Sequence, residues 1–323
     1  MKNISISSPG KLMLMGEHAV VYNRPCLVTA VDQRMHVTIE RTQTPTLVLD
    51  LPDMNISGYE KPMNTIGTGD IPQGAMFVEK AAQRFLRAHP VSGGAHIHVS
   101  SDFSSLVGFG SSSASTVGTI RAFAEAFDKK LSPKQQFIMA YQAVVDIQGS
   151  GSGFDVAAAL YGGTLYFVTE GKTIEPISCT TIPLIVGYTG VKADTSTIIQ
   201  EVKKKMEAQP ERVNRIYDAI AKLVDDAKHK MIEGDWERVG KLMDFNQEYL
   251  RDLGVSSEKL ESLIVAAKQA GAWGAKLSGA GGGDCMIAVS SDDTRSAVES
   301  AIQSVGGQVI HITPHAVGTR RDV

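Results

Sequence analysis

The chain has 323 residues, 43% of them hydrophobic and 21% charged, with a formal net charge of −3. That length allows two domains, each with its own core, and the interspersed acids and bases give no support for a nucleic-acid or membrane surface. The three cysteines, Cys26, Cys179 and Cys285, form no C-x-x-C pair, and no apolar run is long enough to span a bilayer or to build a signal peptide, so a reducing, cytoplasmic setting is expected.

Residues 3–51 read as several short strands, with apolar positions at Ile4, Leu12, Leu14, Val20, Val21, Leu27 and Val28 and a period of two over Met35 to Glu40. Pro9, Gly10, Gly16, Asn23 and Pro25 punctuate them. Residues 52–73 show little periodicity and read as a mobile surface loop or lid. Gly74 to His89 reads as a helix, Ala95 to Ser101 as a strand, and about Ser112 to Phe127 as a helix. Ser132-Pro133 opens a further helix to about Ile147, with proline at its first position. A glycine–serine stretch, Gly149 to Gly153, leads into a short helix from Phe154 to Leu160, and a strand over Gly163 to Val168 closes the first half.

The second half starts with polar residues 169–181 and a strand at Leu184 to Tyr188. Helices follow over about Asp194–Met206, Val213–Glu233 and Trp236–Leu253, and Ser256-Ser257-Glu258 opens a further one to about Ala270. The end of the chain alternates strand (Ala275–Ser278), glycine loop, strand (Cys285–Val289), helix (Asp292–Ser304) and strand (Val309–Thr313). The pattern is that of an α+β protein, with domains expected at 1–172 and 173–323.

Four stretches can carry chemistry. Gly108-Phe109-Gly110-Ser111-Ser112-Ser113-Ala114 lies between a strand and a helix. Glycine admits a ligand close to the backbone, and unpaired N–H groups with the helix dipole make the helix start an anion site. On local grounds the same residues also read as a tight turn with a serine cap. Lys11, after Pro9-Gly10, sits between apolar residues and must reach an edge or an anionic partner, because a lone buried charge is costly. Glu17-His18 stands at a turn, where an ordinary polar pair is an equal reading. In Gly149-Ser150-Gly151-Ser152-Gly153-Phe154-Asp155, the acid enters the first turn of a helix, either as a plain helix-start carboxylate or as a base paired with Lys11. Lys276-Leu277-Ser278-Gly279-Ala280-Gly281-Gly282-Gly283-Asp284-Cys285 packs glycines between two apolar strands, which points to close backbone approach.

Rival signatures are absent. The end of a Walker A loop at Gly171-Lys172-Thr173 lacks its first glycine, which is Tyr166 here. There is no dinucleotide fingerprint, protein-kinase motif set, hydrolase elbow or zinc spacing.

Taken together, P-G-K-L-M-L-M-G-E-H-A-V-V-Y, G-F-G-S-S-S-A and K-L-S-G-A-G-G-G-D-C resemble the three motifs of the GHMP small-molecule kinases, in order and over nearly the whole chain. The resemblance implies a two-domain α+β GHMP kinase fold, with a ribosomal S5 domain 2-like N-terminal half and a ferredoxin-like C-terminal half. It also implies ATP- and Mg²⁺-dependent phosphorylation of an alcohol. Gly16 to Tyr22 and Leu253-Gly254-Val255-Ser256-Ser257 are most similar to the mevalonate branch. The Gly151-to-Ala159 segment and Gly283-Asp284-Cys285 look like the phosphomevalonate branch. The implied activity is phosphorylation of the 5-hydroxyl of mevalonate. The alternatives are 5-phosphomevalonate as acceptor, or a non-catalytic sensor of the same fold.

By position in the motifs, the resemblance makes Asp155 and Lys11 catalytic. Gly108, Gly110, Ser111, Ser112 and Ser113 bind ATP, Ser112 also holds the metal, and Glu17, His18, Gly281 and Gly282 lie on the substrate side. The expected partner is a small-molecule alcohol, with no nucleic acid and no membrane; a homodimer is left open. Two departures stand out. Ser104 and Leu106 replace the proline and glycine that usually precede the central loop. The metal-binding Glu expected about three helical turns before the aspartate falls at Val144, leaving Asp146 as substitute or no second protein ligand. Lys192 is a candidate cation for a phosphorylated acceptor, or an exposed loop lysine.

Overall fold

The computed structural model describes residues 3–104, 107–179 and 181–322. Two long strands, β1 (Ile4–Met15) and β2 (Pro25–Thr42), form its spine. The sequence pattern suggested several short strands here. Pro9-Gly10 is instead absorbed as a register shift within β1, where Pro9 pairs with Arg34 and Gly10 with Val31. Such a bulge bends a strand without ending it.

β1 and β2 belong to an eight-stranded sheet with β3 (Thr46–Leu51), β4 (Ile56–Pro62), β5 (Gly94–Ser101), β6 (Thr164–Val168), β7 (Thr173–Pro176) and β12 (Arg320–Arg321), in the order β12-β1-β2-β5-β3-β4. The far half of β2 pairs with β5, and its near half pairs with β6, which carries β7. The segment 52–73 is not a loose loop. β4 pairs with β3, and the turn after it is tied to Glu79, a fully buried acid that accepts from Lys61 Nζ (2.8 Å), Tyr59 Oη (2.7 Å) and the Gly67 N–H (2.6 Å). Its mixed polarity comes from lying on an edge strand, where one face is wet.

Four helices cover this sheet: α1 (Met76–Ala88), α2 (Ser111–Ala126), α3 (Pro133–Gln148) and α4 (Phe154–Tyr161). The expected start of α3 is a capping box, with Ser132 Oγ accepting from the Gln135 N–H and the Gln135 side chain accepting from the Ser132 N–H.

The second sheet runs β11-β8-β10-β9, from β8 (Leu184–Tyr188), β9 (Gly274–Ser278), β10 (Cys285–Val289) and β11 (Gln308–Ile310), all antiparallel. Helices α5 (Thr195–Ala208), α6 (Pro210–Glu233), α7 (Trp236–Asp252) and α8 (Glu258–Gln269) connect β8 to β9, and α9 (Asp292–Ser304) connects β10 to β11. Strand–helix–strand–strand–helix–strand with that order is the ferredoxin-like plan, enlarged by extra helices in its first crossover.

β1 lines both hydrophobic cores. Side chains alternate across a strand, so Leu12 and Leu14 enter the core of the C-terminal half while Met13, between them, enters the core under α2. That is why Leu12 to Met15 is a continuous apolar run: both faces are covered. The halves are also interleaved. β7 lies just past residue 172 and pairs with β6, and the last strand, β12, returns to pair with β1. Arg34 fastens this return, donating to the carbonyls of Val317 (2.8 Å) and Gly318 (2.9 Å) and to that of Ser7 (2.9 Å). All three cysteines are free and buried. Among the described residues no helix is long and apolar enough to cross a membrane.

Candidate active site

The site forms where β1 meets the start of α2. The Lys11 N–H donates to the Phe109 carbonyl (2.9 Å) and Lys11 Nζ to that of Gly108 (3.3 Å), so the loop before α2 lies flat against β1. Gly110 caps α2 at φ 78°, and a Cβ there would stand 3.0 Å from Lys11 Cε. Left-handed backbone and close approach to a lysine stem both demand glycine. Gly110 brings no side-chain cap, so the first N–H groups of α2, at Ser111, Ser112 and Ser113, stay open to a ligand. Ser111 and Ser112 are half-buried and line a cleft, whereas Ser113 is buried.

Lys11 Nζ also lies 3.2 Å from Asp155 Oδ1, in the first turn of α4. Lys11 is 11% exposed and Asp155 35% exposed, so the pair faces open space on its acid side. Asp155 Oδ1 is itself buried against the ammonium without a well-directed hydrogen bond, so the exposure of this side chain lies on the far side of the carboxylate. The Phe154 ring lies 5.3 Å from Lys11 Nζ and limits how far the lysine can swing.

Directly after β1 comes the turn Gly16-Glu17-His18. His18 is 8% exposed with φ 60°, a conformation rare for a residue bearing a Cβ. Its Nε2 lies 2.9 Å from the Ala280 carbonyl; a carbonyl only accepts, so Nε2 carries the proton. Burial holds its pKa below the usual histidine value, only partly offset by that carbonyl, and neutral His18 keeps Nδ1 as an acceptor. Glu17 does not face the cleft. It is fully buried against Lys276 of β9, itself fully buried. Burial pushes the Glu17 carboxyl up and the Lys276 ammonium down, while their mutual attraction opposes both shifts. Lys276 was not singled out in the sequence. The reasoning applied to Lys11, an interior strand lysine that must find an anion, would have found it.

Gly281 and Gly282 pack on the segment after α7. The Gly282 N–H donates to the Val255 carbonyl (2.7 Å), and a Cβ on Gly281 would fall 2.1 Å from that oxygen. The third motif thus braces the site through its backbone. Its last acid, Asp284, reaches the loop before α2, and the buried Cys285 thiol donates to the Val107 carbonyl (3.2 Å).

Asp146 is elsewhere. Both its oxygens are taken by Arg84 on the outside of α3, at 2.7 and 2.5 Å, so it is no substitute metal ligand. Val144 is likewise on α3 while Asp155 is on α4; the chain turns at Gly149 between them, so counting helical turns back from Asp155 crosses a break. Among the described residues no group of three or more His, Cys, Asp or Glu side chains is placed to hold a metal ion. Ser104 borders the cleft, and Leu106 lies outside the described residues.

The cleft beside Ser111 and Ser112 has a volume of about 1010 Å³. Its walls come from the 52–73 segment (Met54, Ile56, Pro72), from α1 (Phe77) and from the end of β5 (Asp102, Phe103). One part of the molecule therefore offers a large half-apolar cleft, a helix N-terminus at its end, and a lysine–aspartate pair next to that terminus.

Residues 76–163 match the family model "GHMP kinases N terminal domain" and residues 227–308 match "GHMP kinases C terminal". Over 312 residues the chain is 33% identical to the mevalonate kinase of Pyrococcus abyssi, covering 93% of this chain and 92% of the relative. The solved Methanococcus jannaschii mevalonate kinase superposes with a TM-score of 0.84 at 26% identity, covering 97% of this chain and 98% of that one. The solved L. major mevalonate kinase in complex with R-mevalonate gives a TM-score of 0.78 at 27% identity, covering 97% of this chain and 95% of that one. With both halves matched in order and a relative of this similarity spanning nearly the whole chain, the protein belongs to the GHMP kinase family, as an ATP-dependent small-molecule kinase.

Proposed function

We propose that this chain transfers the γ-phosphoryl group of ATP to the 5-hydroxyl of mevalonate. Within the structure the reading is carried by the Lys11–Asp155 pair set against the N-terminus of α2. The similarity to mevalonate kinases at about one-third identity supplies the acceptor. A phosphorylated acceptor would call for further cations on the acceptor side. Lys192, the candidate for that role, instead lines the cleft with Ser111 and Ser112.

In this reading the base and ribose of ATP lie in the cleft walled by Met54, Ile56 and Phe77. The phosphates run to the open N–H groups of Ser111 to Ser113, with Gly108 and Gly110 admitting them close to the backbone. The exposed side of the Asp155 carboxylate accepts the proton of the acceptor hydroxyl, and Lys11 offsets negative charge at the reacting centre. His18 Nδ1 accepts a hydrogen bond from the acceptor, and the glycines at 281 and 282 keep its floor low. Phosphoryl transfer requires mainly positioning and charge neutralisation, which this set provides. Mg²⁺ fits as an ion held by Ser112 Oγ, nucleotide phosphates and water, since this metal keeps several waters and needs few protein ligands. When bound it neutralises charge on the transferring group.

The test is ADP release from ATP-Mg²⁺ with mevalonate, 5-phosphomevalonate, galactose and homoserine offered separately. Turnover with mevalonate alone is expected. Turnover with 5-phosphomevalonate alone would transfer the assignment to that acceptor, and silence across the panel with ATP still bound would favour a sensor.

A further inference from the structure

Asp284 closes the third motif in the left-handed region, at φ 55°, where glycine would sit without strain. Its backbone holds residues 189–193: the N–H donates to the Val191 carbonyl (2.8 Å), and the carbonyl accepts from the Thr189 N–H (2.9 Å) and Thr189 Oγ1 (2.9 Å). Its side chain divides between two neighbours. Oδ1 accepts from the Ala193 N–H (3.0 Å), and Oδ2 lies against the phosphate loop, 2.7 Å from where a Cβ on Gly108 would be. The carboxylate is only 14% exposed.

A carboxylate in that place repels the phosphates the loop is built to receive. Lys192 stands against it, with Nζ 3.6 Å from Asp284 Oδ1 and its side chain lining the same cleft as Ser111 and Ser112. Lys11, the other lysine at this loop, is engaged with Asp155 and the Gly108 carbonyl.

We propose that Lys192 binds the nucleotide phosphates, and that Asp284 positions it at the lip of the phosphate loop. The acid fixes the lysine, and the lysine cancels the acid. This rests on the reading of the cleft as the ATP site. It adds a nucleotide ligand from the β8–α5 connection, and it gives Asp284 a reason to occupy a position that favours glycine.

The experiment is equilibrium binding of ATP, ADP and adenosine, with Mg²⁺ present, to the full chain and its variants. Lys192→Met is expected to weaken ATP and ADP about tenfold or more while leaving adenosine within about twofold, since charge-assisted contacts are strong and only the phosphates are touched. Lys192→Arg should keep most of the affinity. In the Lys192→Met background, Asp284→Asn should recover ATP affinity several-fold, because it removes an uncancelled charge but keeps an acceptor for the Ala193 N–H. Wild-type ATP affinity in Lys192→Met, or an equal loss of adenosine, overturns the proposal while leaving the kinase reading intact. A wild-type protein that binds none of the three overturns the kinase reading and this proposal with it.

Discussion

The molecule contains two lysine–carboxylate pairs that look alike on paper and differ in what water can reach. Lys11–Asp155 is open on its acid side, with Asp155 35% exposed. Lys276–Glu17 is sealed, with both side chains at 0%. An open pair can exchange one partner for a substrate atom. A sealed pair cannot, and the cost of stripping both ions of water is offset only while each keeps the other. The first pair is therefore suited to chemistry. The second joins the turn that carries His18 to β9 of the other half, and its work is structural.

The largest test of that contrast is Asp155→Asn. It should lower kcat by about 10² to 10⁴, the range for losing a positioned base, with ATP affinity nearly unchanged. Near wild-type turnover would remove Asp155 from the chemistry. The sealed pair should fail differently. Lys276→Met strands a buried carboxylate and should cost about 3–5 kcal/mol in urea unfolding. Adding Glu17→Gln to Lys276→Met should recover most of that stability, because no uncompensated charge remains. If the double variant is no more stable than the single one, the pair is not coupled as described.

A smaller effect concerns pH. Burial lowers the His18 pKa in the folded state, so below about pH 6.5 the unfolded chain binds a proton that the folded chain resists. Stability is then fully present above the ordinary histidine pKa and falls as the medium is acidified toward the lower folded value. The slope is at most about 1.4 kcal/mol per pH unit for one group. His18→Gln should flatten that part of the stability–pH curve between pH 7 and 5, and an unchanged slope would assign it to other groups. The smallest effect is expected from Asp146→Asn. It should leave the Mg²⁺ dependence of turnover unaltered and change stability by about 0.2–1 kcal/mol, as for other surface pairs.

Much of this was legible in the sequence because it is local. The helix starts at Ser132-Pro133 and Asp155, the glycine run after Lys276 and the loop before α2 carry their reasons within a few residues. What was not legible depends on partners far along the chain. Glu17 looks like a polar turn residue until Lys276, 259 positions away, is folded against it. Asp146 looks available until Arg84, from another helix, takes both its oxygens. The segment 52–73 reads as loop because its strand lies at a sheet edge and its anchor, Glu79, sits on α1. Lys192 is exposed, as the sequence suggests, but its counter-charge, Asp284, arrives from the third motif.

The return of the last strand to β1 bears on the order of assembly. β1 is made long before its partner on that side, for its Ile6–Ser7 stretch pairs with Arg321 and Arg320, and Arg34 finds two of its carbonyl partners at 317 and 318. On a ribosome, the sheet that begins first is thus finished last, after the whole ferredoxin-like half has been synthesised. Until then that part of the edge stays open and the guanidinium lacks two of its partners, an opening for strand addition by another chain. The two halves share a fate: neither can reach its final form while the other is incomplete.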